Sequence, residues 1–310
     1  MRVVFLGTPE FAVIPLDALA QDSRYEVVGV VTQPDRPAGR STAPQPTPVK
    51  AAGQRLGIPI IQPETLRDPV AVEQLAALQP DVGVVAAYGE ILRKNVLAIP
   101  PLGYINIHPS LLPLHRGPAP VLGAILAGNT ETGVSLIRLV SKMDAGPILA
   151  QRTVPLPPDA RAGSLTEQLF HLGSAMLVET LAAYAAGNVN LVEQDDEQAT
   201  FTKLLTRADG QINWATPAVQ IERMTRAYDP WPGAYTFWRE QQLKIIAARV
   251  VDWSGAEPPG ALLAQRDGVL VATGAGALEL LTIQPAGKRP MSAGDWRRGQ
   301  RDLVGAVFGV

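Results

Sequence analysis

The chain of 310 residues has no cysteine, which excludes disulfide frameworks, thiolate catalysis and cysteine-ligated zinc. It has only three histidines, His108, His115 and His171, which argues against a histidine-rich metal site. No apolar run approaches the roughly 18 residues that a membrane span needs. The start, Met1-Arg2-Val3-Val4-Phe5-Leu6-Gly7, is too short for a signal core and runs into a turn. These absences predict a cytoplasmic protein with no membrane partner. The Walker A, G-x-S-x-G and zinc signatures are also missing. A dinucleotide fingerprint would begin where Gly7-Thr8-Pro9-Glu10 stands. Proline and an acid there deny pyrophosphate the backbone approach it requires, so nicotinamide binding is not expected.

What is present fits a globular protein with a substantial core: 46% of residues are hydrophobic and 18% charged. The length allows one large or two ordinary domains. The net charge of −2 gives no whole-chain footprint for nucleic acid. Residues 207–310 hold 12 Lys+Arg against 10 Asp+Glu, leaving 15 against 19 for the earlier part. The ending is mildly basic and the front mildly acidic.

Short apolar runs at Val3–Leu6, Val27–Thr32 and Val82–Ala87 suit strands buried on both faces. Ile105–His108 is a fourth run, with polar residues on one face. Helix-like stretches lie between them: Glu10–Ala20, where Pro15 marks the true start or a kink, Val70–Leu78 and Glu90–Leu97. This alternation predicts an α/β domain with a Rossmann-like parallel sheet. Residues 33–49 break the pattern as a long proline-stiffened loop, a length that is usually functional or disordered. Thr132–Val140 and Pro147–Val154 read as two strands around the turn Met143-Asp144-Ala145-Gly146, followed by a helix over Leu165–Ala186. Farther on, Leu243–Val251, Val269–Thr273 and Leu278–Ile283 are short strands between glycine-rich turns, which predicts a small β-barrel (OB-like) or a sandwich. The expected organisation is an N-terminal domain over 1–189, a polar linker over 190–206 and a C-terminal barrel over 207–310. No internal repeat is present.

Ligands collect at the carboxyl ends of strands in open α/β sheets. Asn106 and His108 fall at such an end, before Pro109. Two residues apart on a strand, they face one side and reach one point. Asparagine donates or accepts without changing charge, and histidine carries a proton near neutral pH. A nearby carboxylate would fix the imidazole tautomer and stabilise its charged form. Spacing alone does not select that carboxylate; Asp144, in a turn between strands, is one candidate. His115, in a proline-rich loop, and His171, in a helix pattern, read as ordinary surface or packing residues.

The run Asn106-Ile107-His108-Pro109-Ser110-Leu111-Leu112-Pro113 resembles the signature of the folate-dependent formyltransferase family. Met143-Asp144-Ala145-Gly146 resembles the family's second motif, at matching spacing. The likeness extends through Gly7–Phe11, Thr32–Arg40, Arg116–Pro120, Thr132–Val134, Asp229–Pro232, Gln284–Arg289 and Met291–Ala293, and so covers nearly the whole chain. It departs at Asp229, where the family usually has asparagine, at Leu114-His115 and at Ser141-Lys142. It also departs after Gly39-Arg40, where the usual adjacent lysines are absent.

The resemblance implies transfer of a formyl group from 10-formyltetrahydrofolate to the α-amine of methionyl initiator tRNA, without a metal, by a monomer. It selects Asp144 as the third catalytic residue. Asn106 and protonated His108 are then expected to donate hydrogen bonds to the developing oxyanion. Asp144 is expected to keep His108 charged and to help remove the amine proton. Folate contacts implied in the same way are Ser110, Leu111, Leu112 and Pro113, with Tyr88, Gly89, Ile91 and Leu92. The implied tRNA contacts are Arg36, Arg40, Lys288, Arg289 and Arg301. Two other readings are a formyltransferase acting on a small amino-sugar nucleotide and a non-catalytic tRNA-binding homologue. The long loop and the barrel argue against the first, and the intact Asn106, His108 and Asp144 set against the second.

Overall fold

A computed structural model describes residues 1–37, 42–263, 268–301, 303 and 305–309. The chain divides into two compact units. The first comprises residues 1–120, 131–155 and 166–202, and the second residues 121–130, 156–165 and 203–310.

From the N-terminus run β1 (Arg2–Gly7), a 3-10 turn (Glu10–Ala12), α1 (Val13–Gln21) and β2 (Glu26–Val31). Then come the two-residue ladder β3 (Arg36–Pro37) and β4 (Pro44–Gln45), α2 (Pro48–Leu56), β5 (Ile60–Ile61) and α3 (Pro69–Ala77). These are followed by β6 (Val82–Ala86), α4 (Lys94–Leu97), β7 (Tyr104–His108), α5 (Pro120–Ala127), β8 (Glu131–Arg138), β9 (Ile148–Pro155) and α6 (Ala162–Ala185).

Seven strands of the first unit form one sheet in the order β5-β2-β1-β6-β7-β8-β9. The pairs from β5 to β7 are parallel, and β8 and β9 extend the sheet antiparallel. Strands β1 and β6 are buried almost throughout, which explains their unbroken apolar runs. The helices start where the sequence supplies caps. Thr47 accepts the Lys50 N–H ahead of Pro48, and Asp68 accepts the Val70 N–H ahead of Pro69. Pro15 sits inside the first turn of α1, where its missing N–H costs nothing. From α6, Leu169, Phe170, Met176, Leu177 and Leu181 are buried in this unit.

The helix expected over Glu90–Leu97 forms only from Lys94. The Glu90 carboxylate accepts from the Thr65 hydroxyl at 2.6 Å and the Leu66 N–H at 2.9 Å. That tertiary tie holds the chain after β6 in a turn. The stretch expected as a linker also divides. Residues 190–202 belong to the first unit, where Val192 exchanges both backbone hydrogen bonds with Ile148.

The second unit has its own core, in which Trp214, Ile221, Leu243, Val271, Leu278, Ile283, Trp296 and Phe308 are buried together. Its elements are α7 (Ala218–Ala227), β10 (Tyr235–Trp238), β11 (Gln241–Val251), β12 (Leu262–Leu263), β13 (Val269–Ala272), β14 (Ala277–Pro285), β15 (Met291–Ser292) and α8 (Ala293–Arg298). The strands run antiparallel in the order β10-β11-β14-β13-β12, with β15 on β14. Register shifts in β11 on either side of Ala247 fit the curl of the sheet into a half-barrel. Among the described residues, no helix is long and apolar enough to cross a membrane.

Candidate active site

Strand order in the first sheet reverses around β1 and β6, so the carboxyl ends of β6 and β7 border the crevice where such sheets bind ligands. Val85 of β6 pairs with Asn106 of β7, which sets Asn106 beside the turn at 87–91. Asn106 is half-buried, and its carboxamide has no protein partner among the described residues. Its N–H groups are free to meet a ligand.

His108 ends the same strand and is buried. Its Nε2–H donates to the His115 carbonyl at 3.1 Å, since a carbonyl can only accept. Nδ1 lies 3.8 Å from Oδ2 of Asp144. Burial pushes the pKa of His108 below the ordinary histidine value, opposed by the Asp144 charge. Burial thus works against the protonated imidazole that the resemblance implies, and the Asp144 charge works for it.

Asp144 sits in the turn between β8 and β9 with φ of 48°, a left-handed conformation that costs a non-glycine residue about 1 kcal/mol or more. Its Oδ2 also accepts the Gly117 N–H at 2.7 Å. Gly117 has φ of 108°, and a Cβ there would stand 2.6 Å from the Thr202 carbonyl. In the Asp144 turn, a Cβ on Gly146 would meet the Arg138 carbonyl at 1.8 Å. Both positions require glycine.

A hydrogen-bonded frame that sequence reasoning missed surrounds these groups. The Ser135 hydroxyl, opposite His108 in register, donates to the Ser110 carbonyl at 2.7 Å and accepts the Leu112 N–H at 3.1 Å. Gln151 donates to the Leu112 carbonyl at 2.9 Å. Arg116 is 0% exposed; it donates to Oε1 of Gln194 and, at 2.7 Å, to Oδ1 of Asp196. Thr200 accepts the His115 N–H at 2.8 Å, so the main chain of His115 belongs to the site. The only advance signals were Ser135's position facing β7 and an arginine in a glycine-containing motif.

The residues implied for folate spread over two loops. Ile91 is 61% exposed, Gly89 is exposed, and Leu111 and Pro113 are half-buried. Leu112 and Leu92 are buried, and Ser110 is occupied by its hydroxyl's bond to the Leu114 carbonyl. Tyr88 belongs to the core, where its hydroxyl has no partner among the described residues and burial pushes its pKa up. Thus Gly89 and Ile91 are exposed, Leu111 is half-buried and Tyr88 belongs to the core.

Two family models match the chain: formyl transferase over residues 1–181, and formyl transferase C-terminal domain over residues 204–301. A methionyl-tRNA formyltransferase of Roseiflexus sp. (strain RS-1) is 68% identical over 310 residues, covering 100% of this chain and 95% of that protein. The chain belongs to the methionyl-tRNA formyltransferase family. A family relative from Herpetosiphon aurantiacus is 60% identical, covering 98% of this chain and 99% of its own. The fold is also that of an N-formyltransferase from Helicobacter canadensis, solved with folinic acid and dTDP-3-aminofucose. It aligns with a TM-score of 0.66 at 15% identity, over 91% of this chain and 98% of that one.

Among the family's expected RNA contacts, Lys288, Arg289 and Arg301 are exposed in the second unit. Arg36 is exposed in the first unit and paired with Glu64 at 2.9 Å. Arg40 lies outside the described residues.

Proposed function

We propose that the chain transfers the formyl group of 10-formyltetrahydrofolate to the α-amine of methionyl initiator tRNA, giving N-formylmethionyl-tRNA, and that it works in the cytoplasm. The observation that carries the reading is the meeting of His108 and Asp144 at 3.8 Å beside a free Asn106 carboxamide, in a chain 68% identical to a methionyl-tRNA formyltransferase.

In this reading the donor's ring system lies against Ile91 and Leu111 and the main chain at Gly89, on the side of the Asn106 amide. The bound donor supplies an activated formyl carbon. Attack by the neutral methionyl amine forms the new C–N bond and places negative charge on the formyl oxygen. Asn106 donates a hydrogen bond to that oxygen in a site already ordered for it. Asp144 takes the proton the amine must lose, directly or through a water. Nδ1 of His108, 3.8 Å from Oδ2 of Asp144, takes over that same proton, which passes on to the departing nitrogen of the donor as its bond to the formyl carbon breaks. Lys288, Arg289 and Arg301, with Arg36 and Arg40, offer cations to tRNA phosphates.

The test is a formyl-transfer assay with purified protein, 10-formyltetrahydrofolate and charged initiator tRNA, in competition with a nucleotide-linked amino sugar. Preference for the sugar would sink the assignment.

A further inference from the structure

The tip of the Asp144 turn is exposed at Ser141, Lys142 and Met143, with Lys142 paired to Asp196, and Asp144 itself is in a strained left-handed conformation. Its carboxylate bond to Gly117 fixes the side chain but not the main chain behind it.

One side chain holds that main chain. Nε2 of Gln194 donates to the Asp144 carbonyl at 2.8 Å and to the Gly146 carbonyl at 2.7 Å. Oε1 of the same amide accepts from Nε of Arg116 at 3.1 Å and from its Nη2 at 2.8 Å. Arg116 lies between His115, whose carbonyl holds His108, and Gly117, whose N–H holds Asp144. Gln194 therefore ties the Asp144 turn to the loop that carries the partners of both members of the pair.

The strap bearing Gln194 is itself anchored. Val192 pairs with Ile148, the Thr200 carbonyl accepts the Arg116 N–H at 2.9 Å, and the Thr202 N–H donates to the Arg116 carbonyl at 2.8 Å. The amide is thus presented from a fixed backbone.

We propose that Gln194 is a positioning residue for formyl transfer, setting the reach of Asp144 towards His108 and the attacking amine. The inference rests on the assignment of Asp144 to catalysis made above. A carboxamide donates at one end and accepts at the other. Glutamate keeps the acceptor for buried Arg116, with added charge, but gives nothing to the two carbonyls. Leucine removes both ends.

The experiment measures kcat and KM for both substrates in Gln194→Glu, Gln194→Leu and Asp144→Asn, with thermal melting of each. A misplacement of the reacting group by an ångström typically costs about 100-fold. We expect kcat of Gln194→Glu to fall about 10- to 100-fold, with both KM values within about twofold and melting close to wild type. Gln194→Leu should lose at least as much rate. Wild-type kcat in Gln194→Glu would reduce Gln194 to a counterpart for Arg116 and overturn the proposal. So would a rise in KM at unchanged kcat, or unfolding of both Gln194 variants at the assay temperature. If Asp144→Asn keeps full activity, the catalytic assignment itself fails. If Asp144→Asn is inactive and Gln194→Glu is not impaired, only the positioning role fails.

Discussion

Nδ1 of His108 faces Oδ2 of Asp144 at 3.8 Å, while Nε2 of the same ring is committed to the His115 carbonyl. A buried imidazole thus faces a carboxylate through one nitrogen and is held by the main chain through the other. That arrangement separates what each residue contributes.

Asn106→Ala removes a donor to the formyl oxygen and leaves substrate binding largely to other residues. Rates should fall about 100- to 1000-fold in kcat, with small changes in KM, as measured by steady-state formyl transfer.

Asp144→Asn keeps the shape of the side chain and its bond to the Gly117 N–H but cannot accept the amine proton. Formyl transfer should drop by about 100-fold or more, while tRNA affinity, read by filter binding, stays near wild type.

His108 also links stability to pH. Its folded pKa lies below the ordinary histidine value of 6.5, through burial first, opposed by the Asp144 charge and by the hydrogen bond to the His115 carbonyl. Below that value the unfolded chain binds a proton that the folded one refuses, so the unfolded state gains. The His108 contribution is present above 6.5 and is lost as pH falls towards the folded pKa. Urea midpoints should decline over this window in the wild type, and the decline should be shallower in His108→Asn.

Gly146→Ala forces a Cβ to within 1.8 Å of the Arg138 carbonyl, which is backbone and cannot swing aside. The Asp144 turn must shift. Melting temperature and kcat should both fall, by several degrees and by at least tenfold, measured by calorimetry and by the transfer assay.

Lys288→Ala tests the second unit's part in RNA recognition. One lost phosphate contact should weaken tRNA binding and flatten its salt dependence by about one unit of slope. An unchanged slope removes Lys288 from the interface.

The parallel core was legible because strands buried on both faces leave unbroken runs such as Val3–Leu6 and Val82–Ala86. Asn106 and His108 were legible as neighbours because strand periodicity puts them on one side. Asp144 needed the family resemblance, since a carboxylate in a turn looks like any other turn residue. The Glu90–Leu97 helix failed because Glu90 is engaged by Thr65 and Leu66, and local pattern does not register a distant partner. Gln194, Thr200 and Thr202 were invisible for a related reason. They spend their polar groups on another segment's backbone, which imposes no periodicity on their own.

The strap has a consequence for how the enzyme comes into being. Asn106, His108 and Asp144 precede Gln194 and Thr202 in the chain, and N-terminal parts fold first during synthesis. A nascent chain therefore carries its reacting groups well before it carries the clasp that orders them. The match to the first family model ends at residue 181, short of the clasp. Closure over Arg116 therefore waits for residues 192–202, the last segment of the first unit, to leave the ribosome.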